Sequence, residues 1–327
     1  MCYYRLTVLY TINHVNNYIN WLYMSQWMVS IFVFFVVLFV YIHIYHHYKT
    51  SNDFEIYDID HVTRDKLHEI CELKQPFIFN FANSDSSIFE TNLYNLSSQY
   101  DPFELNIRTS TVGDMELNTD SVPLSLDKAI ALFDKTDDTM RYYSEDNYEF
   151  LTESGLLKKI TTEDEELRPY MGCTRIYDVL TGSVNGYTPL RYEVNSRNYY
   201  MVVNGYIDVL LIPPNYTKYL RSQPNYETFE FNSLIDVWNV QDKYSQEYKK
   251  SKSMQITINT GKVLYIPPYW WYSIRFHKKA SVLSMQYRTY MNNVAILPSI
   301  CTHYLQMFNV KKNIIEHKQT ITTQVRV

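Results

Sequence analysis

From Trp27 to Ile42 the chain reads WMVSIFVFFVVLFVYI, apolar on every side and broken only by Ser30. A helix lying on a soluble core would show an amphipathic period; a run without a polar face predicts a helix surrounded by hydrocarbon. The run is short against the roughly 17–25 residues a bilayer core needs. Trp21 and Trp27 at one end, and Tyr41, Tyr45 and Tyr48 at the other, supply interfacial rings that extend it. A signal peptide would open on a basic region and close on small residues, whereas Arg5 stands alone and HIYHHY follows the run. The pattern predicts one transmembrane anchor over 27–48, after an N-terminal tail over 1–26 and before a polar, acidic linker over 49–62. His43, His46 and His47 sit at i, i+3, i+4 spacing past the run. No carboxylate or cysteine joins them, so they read as an interfacial polar collar rather than a metal site.

Beyond the linker the pattern changes twice. Asp65 to Leu73 carries Leu67, Ile70 and Cys71 on one face, a short amphipathic helix leading into the strand-like FIFNF after Pro76. Residues 83 to 123 lack periodicity and read as loops with short strands. Leu126, Ile130 and Phe133 predict a helix over Leu124 to Phe133, and a further helix is expected over Asp146 to Lys159. From Tyr177 onward short β-rich runs alternate with turns: YYMVV, NG, YIDVLLIPP, then QITI, NTG, KVLYIPP, WWYSIRF and VLSMQYRTY. Such spacing predicts a barrel or sandwich. Ile300 to Val310 reads as a closing helix, and 311–327 as a C-terminal tail.

Composition narrows the classes. Hydrophobic residues are 46% of the 327 and charged ones 20%, which excludes bulk disorder. The net charge of −5 speaks against a nucleic-acid-coating chain. Arg288 is the one basic residue near Tyr287 and Tyr290, too few for a base-stacking platform. Cys2, Cys71, Cys173 and Cys301 form no close pair, which excludes a zinc finger or disulfide scaffold. No nucleophile elbow occurs. Only 7 glycines stand against 32 tyrosines and 16 phenylalanines, so Asn, Asp and Pro must make many of the turns.

Two stretches carry a specific resemblance: TPLRYEVNSRNYYMVVNGYIDVLLIPP over 188–214 and GKVLYIPPYWWYSIRF over 261–276. They resemble the JmjC/cupin-like family of 2-oxoglutarate oxygenases, in particular the asparaginyl hydroxylases that inhibit the hypoxia factor. FNSLIDVW over 231–238 stands where the family links its halves. The resemblance covers roughly residues 55–310, and a cupin-like branch of large DNA viruses is similar at both motifs. It implies a mainly β (α+β) fold: a double-stranded β-helix, the cupin/JmjC jelly-roll barrel, with flanking helices. The JmjC/cupin-like domain is expected over 63–310. The viral likeness implies a single-pass protein of a host or virion membrane.

The family holds Fe(II) with a T-P-x-H-x-D strand motif and a later W-W-H, leaving room for 2-oxoglutarate. Here Arg191 replaces the first His and Tyr272 the last, while Glu193 keeps the carboxylate. Arginine offers no lone pair, and a neutral phenol is a poor ligand. His277 cannot substitute, since 272, 274 and 276 share one strand face and 277 the other. Thr188 and Asn198 match polar positions that contact 2-oxoglutarate in the resembled hydroxylase, but its pairing lysine falls near apolar Ile207. The resemblance therefore implies no catalytic residues, no metal ligand set and no cofactor. Fe(II) and 2-oxoglutarate enter only if Glu193 and Tyr272 rebuild an active protein hydroxylase. The expected role is a binding or structural pseudoenzyme, with a scaffold in a membrane as a third reading. Arg191, Glu193 and Tyr272 are expected to meet, either as a latch filling the metal cavity or with Arg191 anchoring an anionic ligand. A protein partner is the other expectation. Of Trp270 and Trp271, alternation places one inward and one outward.

Overall fold

The alternation that begins near Tyr177 folds as strands because its inward positions are Val, Ile, Leu, Tyr and Trp, side chains that suit a pleated surface. The computed structural model describes residues 2–60, 62–81, 87–100, 102–110, 121–135 and 140–308. The C-terminal tail 311–327 lies outside the described residues. The helix up to Tyr48 and the chain from Lys49 form separate compact units.

The first unit is α1 (Cys2–Tyr48). Residues 2–26, expected as a tail, are helical and continuous with the apolar run. Met24–Tyr48 is long and apolar enough to cross a membrane by length and composition. His43 Nδ1 bonds the Phe39 carbonyl oxygen one turn back, at 2.8 Å.

The second unit opens with β1 (Tyr57–Ile59), α2 (Arg64–Cys71), β2 (Phe77–Asn80) and α3 (Leu93–Tyr100). Next come β3 (Glu104–Thr109), β4 (Val122–Ser125), α4 (Leu126–Asp134), β5 (Tyr142–Ser144), α5 (Tyr148–Glu153) and α6 (Leu156–Glu163). The later part holds β6 (Gly172–Gly182), β7 (Arg191–Tyr192), β8 (Arg197–Asn204), β9 (Tyr206–Ile212), β10 (Ser222–Asn225) and β11 (Glu230–Ser233). It closes with α7 (Asp242–Tyr248), β12 (Met254–Asn259), β13 (Lys262–Ile266), β14 (Trp271–Phe276), β15 (Ser281–Thr289), α8 (Tyr290–Ala295) and α9 (Leu297–Met307).

Four expectations change. The 49–62 linker contributes β1, which pairs in parallel with β2 at the sheet edge. Residues 83–123 contain α3 as well as strands. The helix expected over Asp146 to Lys159 is two, because Gly155 sits at φ +75° between α5 and α6, a conformation that halts an α-helix. The closing helix starts earlier, at Leu297, with Pro298 in its first turn where a missing N–H costs nothing.

Among the described residues the strands form two sheets. One runs β1-β2-β13-β8-β15-β6-β5-β3-β4, the other β10-β11-β7-β14-β9-β12. The domain is mostly β, two antiparallel-rich sheets with flanking helices. The β8–β9 hairpin turns at Gly205, whose φ of +71° would strain any other residue and whose close approach to the Ala280 backbone would crowd a Cβ. Between the sheets lies an apolar cluster: Leu180, Tyr200 and Val202 from the large sheet meet Val209, Ile274 and Phe276 from the small one. The outer face of the large sheet packs its aromatic residues Tyr199, Tyr265 and Tyr287 under the helices. Each fully buried large apolar side chain contributes about 1.5–3 kcal/mol. Trp270 and Trp271 are both fully buried. Trp271 does face outward, but into a separate cluster with Leu190, Leu220 and Ile235, and its Nε1 donates to Thr217 Oγ1 at 2.8 Å.

Candidate functional site

The short strand β7 lies between β11 and β14, and Arg191 is in direct register with Tyr272. Directly opposed residues on neighbouring strands present their side chains to the same face, here the barrel interior. Arg191 Nε donates to the Tyr272 hydroxyl at 3.0 Å, and Tyr272 donates in turn to Glu193 Oε1 at 2.9 Å. The Tyr200 hydroxyl donates to Tyr272 at 2.6 Å, and Gln286 Nε2 donates to Tyr200 at 3.3 Å. The three residues expected to meet therefore do meet. The principal partner of Arg191 is another residue, however. Its Nη1 lies 2.6 Å from Glu145 Oε2, whereas Nε is 3.9 Å from Glu193 Oε1.

Glu145 follows β5 and extends the network. Its other oxygen takes Arg108 Nη1 at 2.9 Å, and Arg108 also pairs with Glu230 at 2.9 Å and Asp146 at 2.5 Å. Because β3 pairs with β5, Arg108 and Glu145 come from adjacent strand ends. Burial alone would push the Glu145 carboxyl up, but the guanidinium groups of Arg191 and Arg108 outweigh it and hold it below its usual range. Glu193 goes the other way: burial raises it, and Arg191 only partly compensates. Burial also raises the Tyr272 phenol well above its ordinary value, which keeps it protonated.

Beside this network is a cavity of about 220 Å³ between the sheets. Arg191, Glu193, Tyr200, Gln286, Arg288 and Asp178 are among its lining residues. Thr188 and Asn198, expected at a cosubstrate site, are not. Thr188 is fully buried, with Oγ1 accepting from the Ile274 amide at 3.0 Å and its carbonyl accepting from Ser273 Oγ at 2.6 Å. Asn198 donates to the Ile266 carbonyl at 3.0 Å. Both hold strands together. Ile207 is buried in the apolar cluster, as its side chain requires.

The residues at the family's ligand positions do not fit a ferrous ion. Arg191 has no lone pair and is held by Glu145. Tyr272 spends its proton on Glu193 and accepts from Arg191 and Tyr200. One carboxylate remains, and a single ligand does not hold iron usefully. A second acidic group, Glu145, Asp146 and Glu230, brings carboxylate oxygens within 4.8 Å of one another. Arg108 bonds all three, so a guanidinium already supplies the positive charge there. No sequence motif flags Arg108, Glu145 or Glu230, which reach the site from separate segments. The signal that could have found them is physical: a buried Arg191 needs a carboxylate, and Glu193, just past the end of the same short strand, was not the sole candidate.

Comparison with known proteins supports this framework. A stretch of 94 residues is 29% identical to HSPB1-associated protein 1 of Bos taurus, covering 28% of this chain and 19% of that protein. The same protein of Rattus norvegicus and of Homo sapiens matches at 29% over 94 residues, 20% and 19% of their lengths. The alignment thus spans about a fifth of these relatives. A family model described as a cupin-like domain matches residues 109–292, more than half of the chain and including both motif stretches. The chain belongs to the cupin-like domain family.

Proposed function

We propose that the chain is a membrane-anchored, cupin-like binding protein without iron-dependent oxygenase turnover. One observation carries the reading: Arg191 and Tyr272 are joined to each other and to Glu145 and Glu193, at the positions where iron-dependent relatives would need ligands with free lone pairs. The latch closes the metal position and leaves the cavity beside it for a ligand. Residues 27–48 are the proposed anchor, since the run has no polar face and lies within a helix of spanning length.

The test is a titration of the purified full chain in detergent with Fe(II) or Mn(II), with and without 2-oxoglutarate. Melting temperature and succinate release are followed. Neither is expected to respond. Metal-dependent stabilisation accompanied by succinate would overturn the proposal in favour of a rebuilt hydroxylase site. Retention in the membrane pellet after alkaline extraction checks the anchor; release into the supernatant removes it.

A further inference from the structure

The cavity's charges are matched except at two places. Glu145 has Arg191 and Arg108, Glu230 and Asp146 have Arg108, and Asp178 accepts the amides of Asp146, Asn147 and Val179. Arg288 is different. It stands in the inward register of β15 with Ser284 and Gln286, and all three line the cavity. Its Nε is held by Asn195 Oδ1 at 2.5 Å and its guanidinium lies 5.1 Å from the centre of the Phe229 ring. Asn195 is itself fixed by Gln286 at 2.7 Å. The guanidinium is thus oriented by a neutral amide and an aromatic face, and among the described residues no carboxylate lies within ion-pair distance of it, although Glu193 attracts it across the cavity. On the small-sheet side, Glu193 uses Oε1 for Tyr272, while Oε2 has no partner among the described residues.

The Arg288 guanidinium and Glu193 Oε2 therefore line one small chamber and attract each other without coming into direct ion-pair contact. Their terminal atoms meet a ligand of the reverse polarity: a carboxylate for the fork of Arg288 and an ammonium for Glu193. The walls between are Ile176, Leu180, Phe229 and Phe231. A chamber of about 220 Å³ lies below the roughly 300 Å³ where pockets for drug-sized ligands begin, a size that suits a small ligand. We propose that the cavity binds a free α-amino acid with a compact apolar side chain, carboxylate on Arg288 and ammonium on Glu193. The inference rests on the reading of the barrel as a binding module, and it moves the anion anchor expected at Arg191 to Arg288, since Arg191 is neutralised by Glu145.

Binding is measured on the full chain in detergent by equilibrium dialysis and thermal shift. The probes are L-alanine, L-valine and L-leucine, with isoamylamine (ammonium alone) and 4-methylpentanoate (carboxylate alone) as controls. At least one amino acid is expected to bind at least tenfold tighter than either control. Arg288→Gln is expected to abolish the preference over isoamylamine, and Glu193→Gln the preference over 4-methylpentanoate, each with its unliganded melting curve still cooperative. Equal binding of all five probes, or of none, overturns the proposal, and these comparisons on the unmodified chain do not depend on a variant folding. Succinate release with Fe(II) would instead overturn the non-enzymatic reading, so the two failures are distinct.

Discussion

Along β14 the inward residues pass from a charged neighbourhood to an apolar one: Tyr272 sits in the hydrogen-bonded chain of Arg191, Glu193 and Tyr200, while Ile274 and Phe276 touch Val202, Ile207 and Val209. The same gradient recurs on β15, from Arg288 and Gln286 to Val282, and on β6, from Asp178 to Leu180. The two halves of the interior share strands but not energetics. In the apolar half, burial removes hydrocarbon from water and the sheets gain from every contact. In the charged half, Coulomb attraction is largely offset by desolvation, so the network adds little net stability although breaking it is costly. The barrel tolerates this much buried charge because each group in the network is partnered by another.

The largest effect that tests this contrast is in the apolar half. Phe276→Ala should cost about 3–5 kcal/mol, because the ring fills the space against Gly182 and its loss leaves a void. The denaturant midpoint of the full chain reads it directly. A loss below about 1 kcal/mol would mean that this half does not clamp the sheets.

Next is the charged half. Arg191→Ala should cost about 3 kcal/mol, the low end of the range for breaking a buried pair, because Arg108 still faces Glu145. Adding Glu145→Gln should recover more than half of that loss, since the penalty comes mainly from the uncompensated carboxylate. The double-mutant cycle measures it. Additive losses would show that Arg191 acts through packing rather than through its charge.

The sequence made one of these halves far more legible than the other. The strands of the apolar half follow from period-two alternation and from turn signals such as Asn204-Gly205 and Thr260-Gly261, local features that survive without a partner. The meeting of Arg191 with Tyr272 was legible because strand faces alternate and the two motifs fix the register. The Arg191–Glu145 and Arg108 contacts were not, because an ion pair between distant segments leaves no periodic trace. The helix α3 was hidden for a related reason. LYNLSSQY has polar residues where a stronger amphipathic pattern would show, and its buried Leu93 and Leu96 are placed by tertiary packing. Thr188 and Asn198 were expected at a cosubstrate site because they match polar positions of the resembled hydroxylase, but backbone groups of β13 and β14 engage them, a pairing between segments distant in the chain that no local pattern shows.

The smallest expected effect lies outside the barrel interior, on α2, and sharpens the comparison by asking what one polar ring does on the other side of the sheet. His68 stacks on Tyr170 with ring centres 4.2 Å apart. Burial, then the charges of Arg197 and Arg64, push its pKa down to about 4 from an ordinary value near 6.5. A histidine whose folded pKa is depressed stabilises the fold while neutral. Its contribution is complete above about pH 6.5, where both states are neutral, and is lost as pH falls toward 4, where the unfolded chain takes up the proton first. The ring is partly exposed, so solvent screening reduces the effect to the order of 1 kcal/mol. His68→Phe keeps the stack and removes the titration, so its stability should fall less than that of the parent between pH 6.5 and 4. Unfolding midpoints across that window decide the matter: parallel curves would mean that the ring is solvated enough to titrate normally, and that the polar groups governing acid stability lie within the barrel.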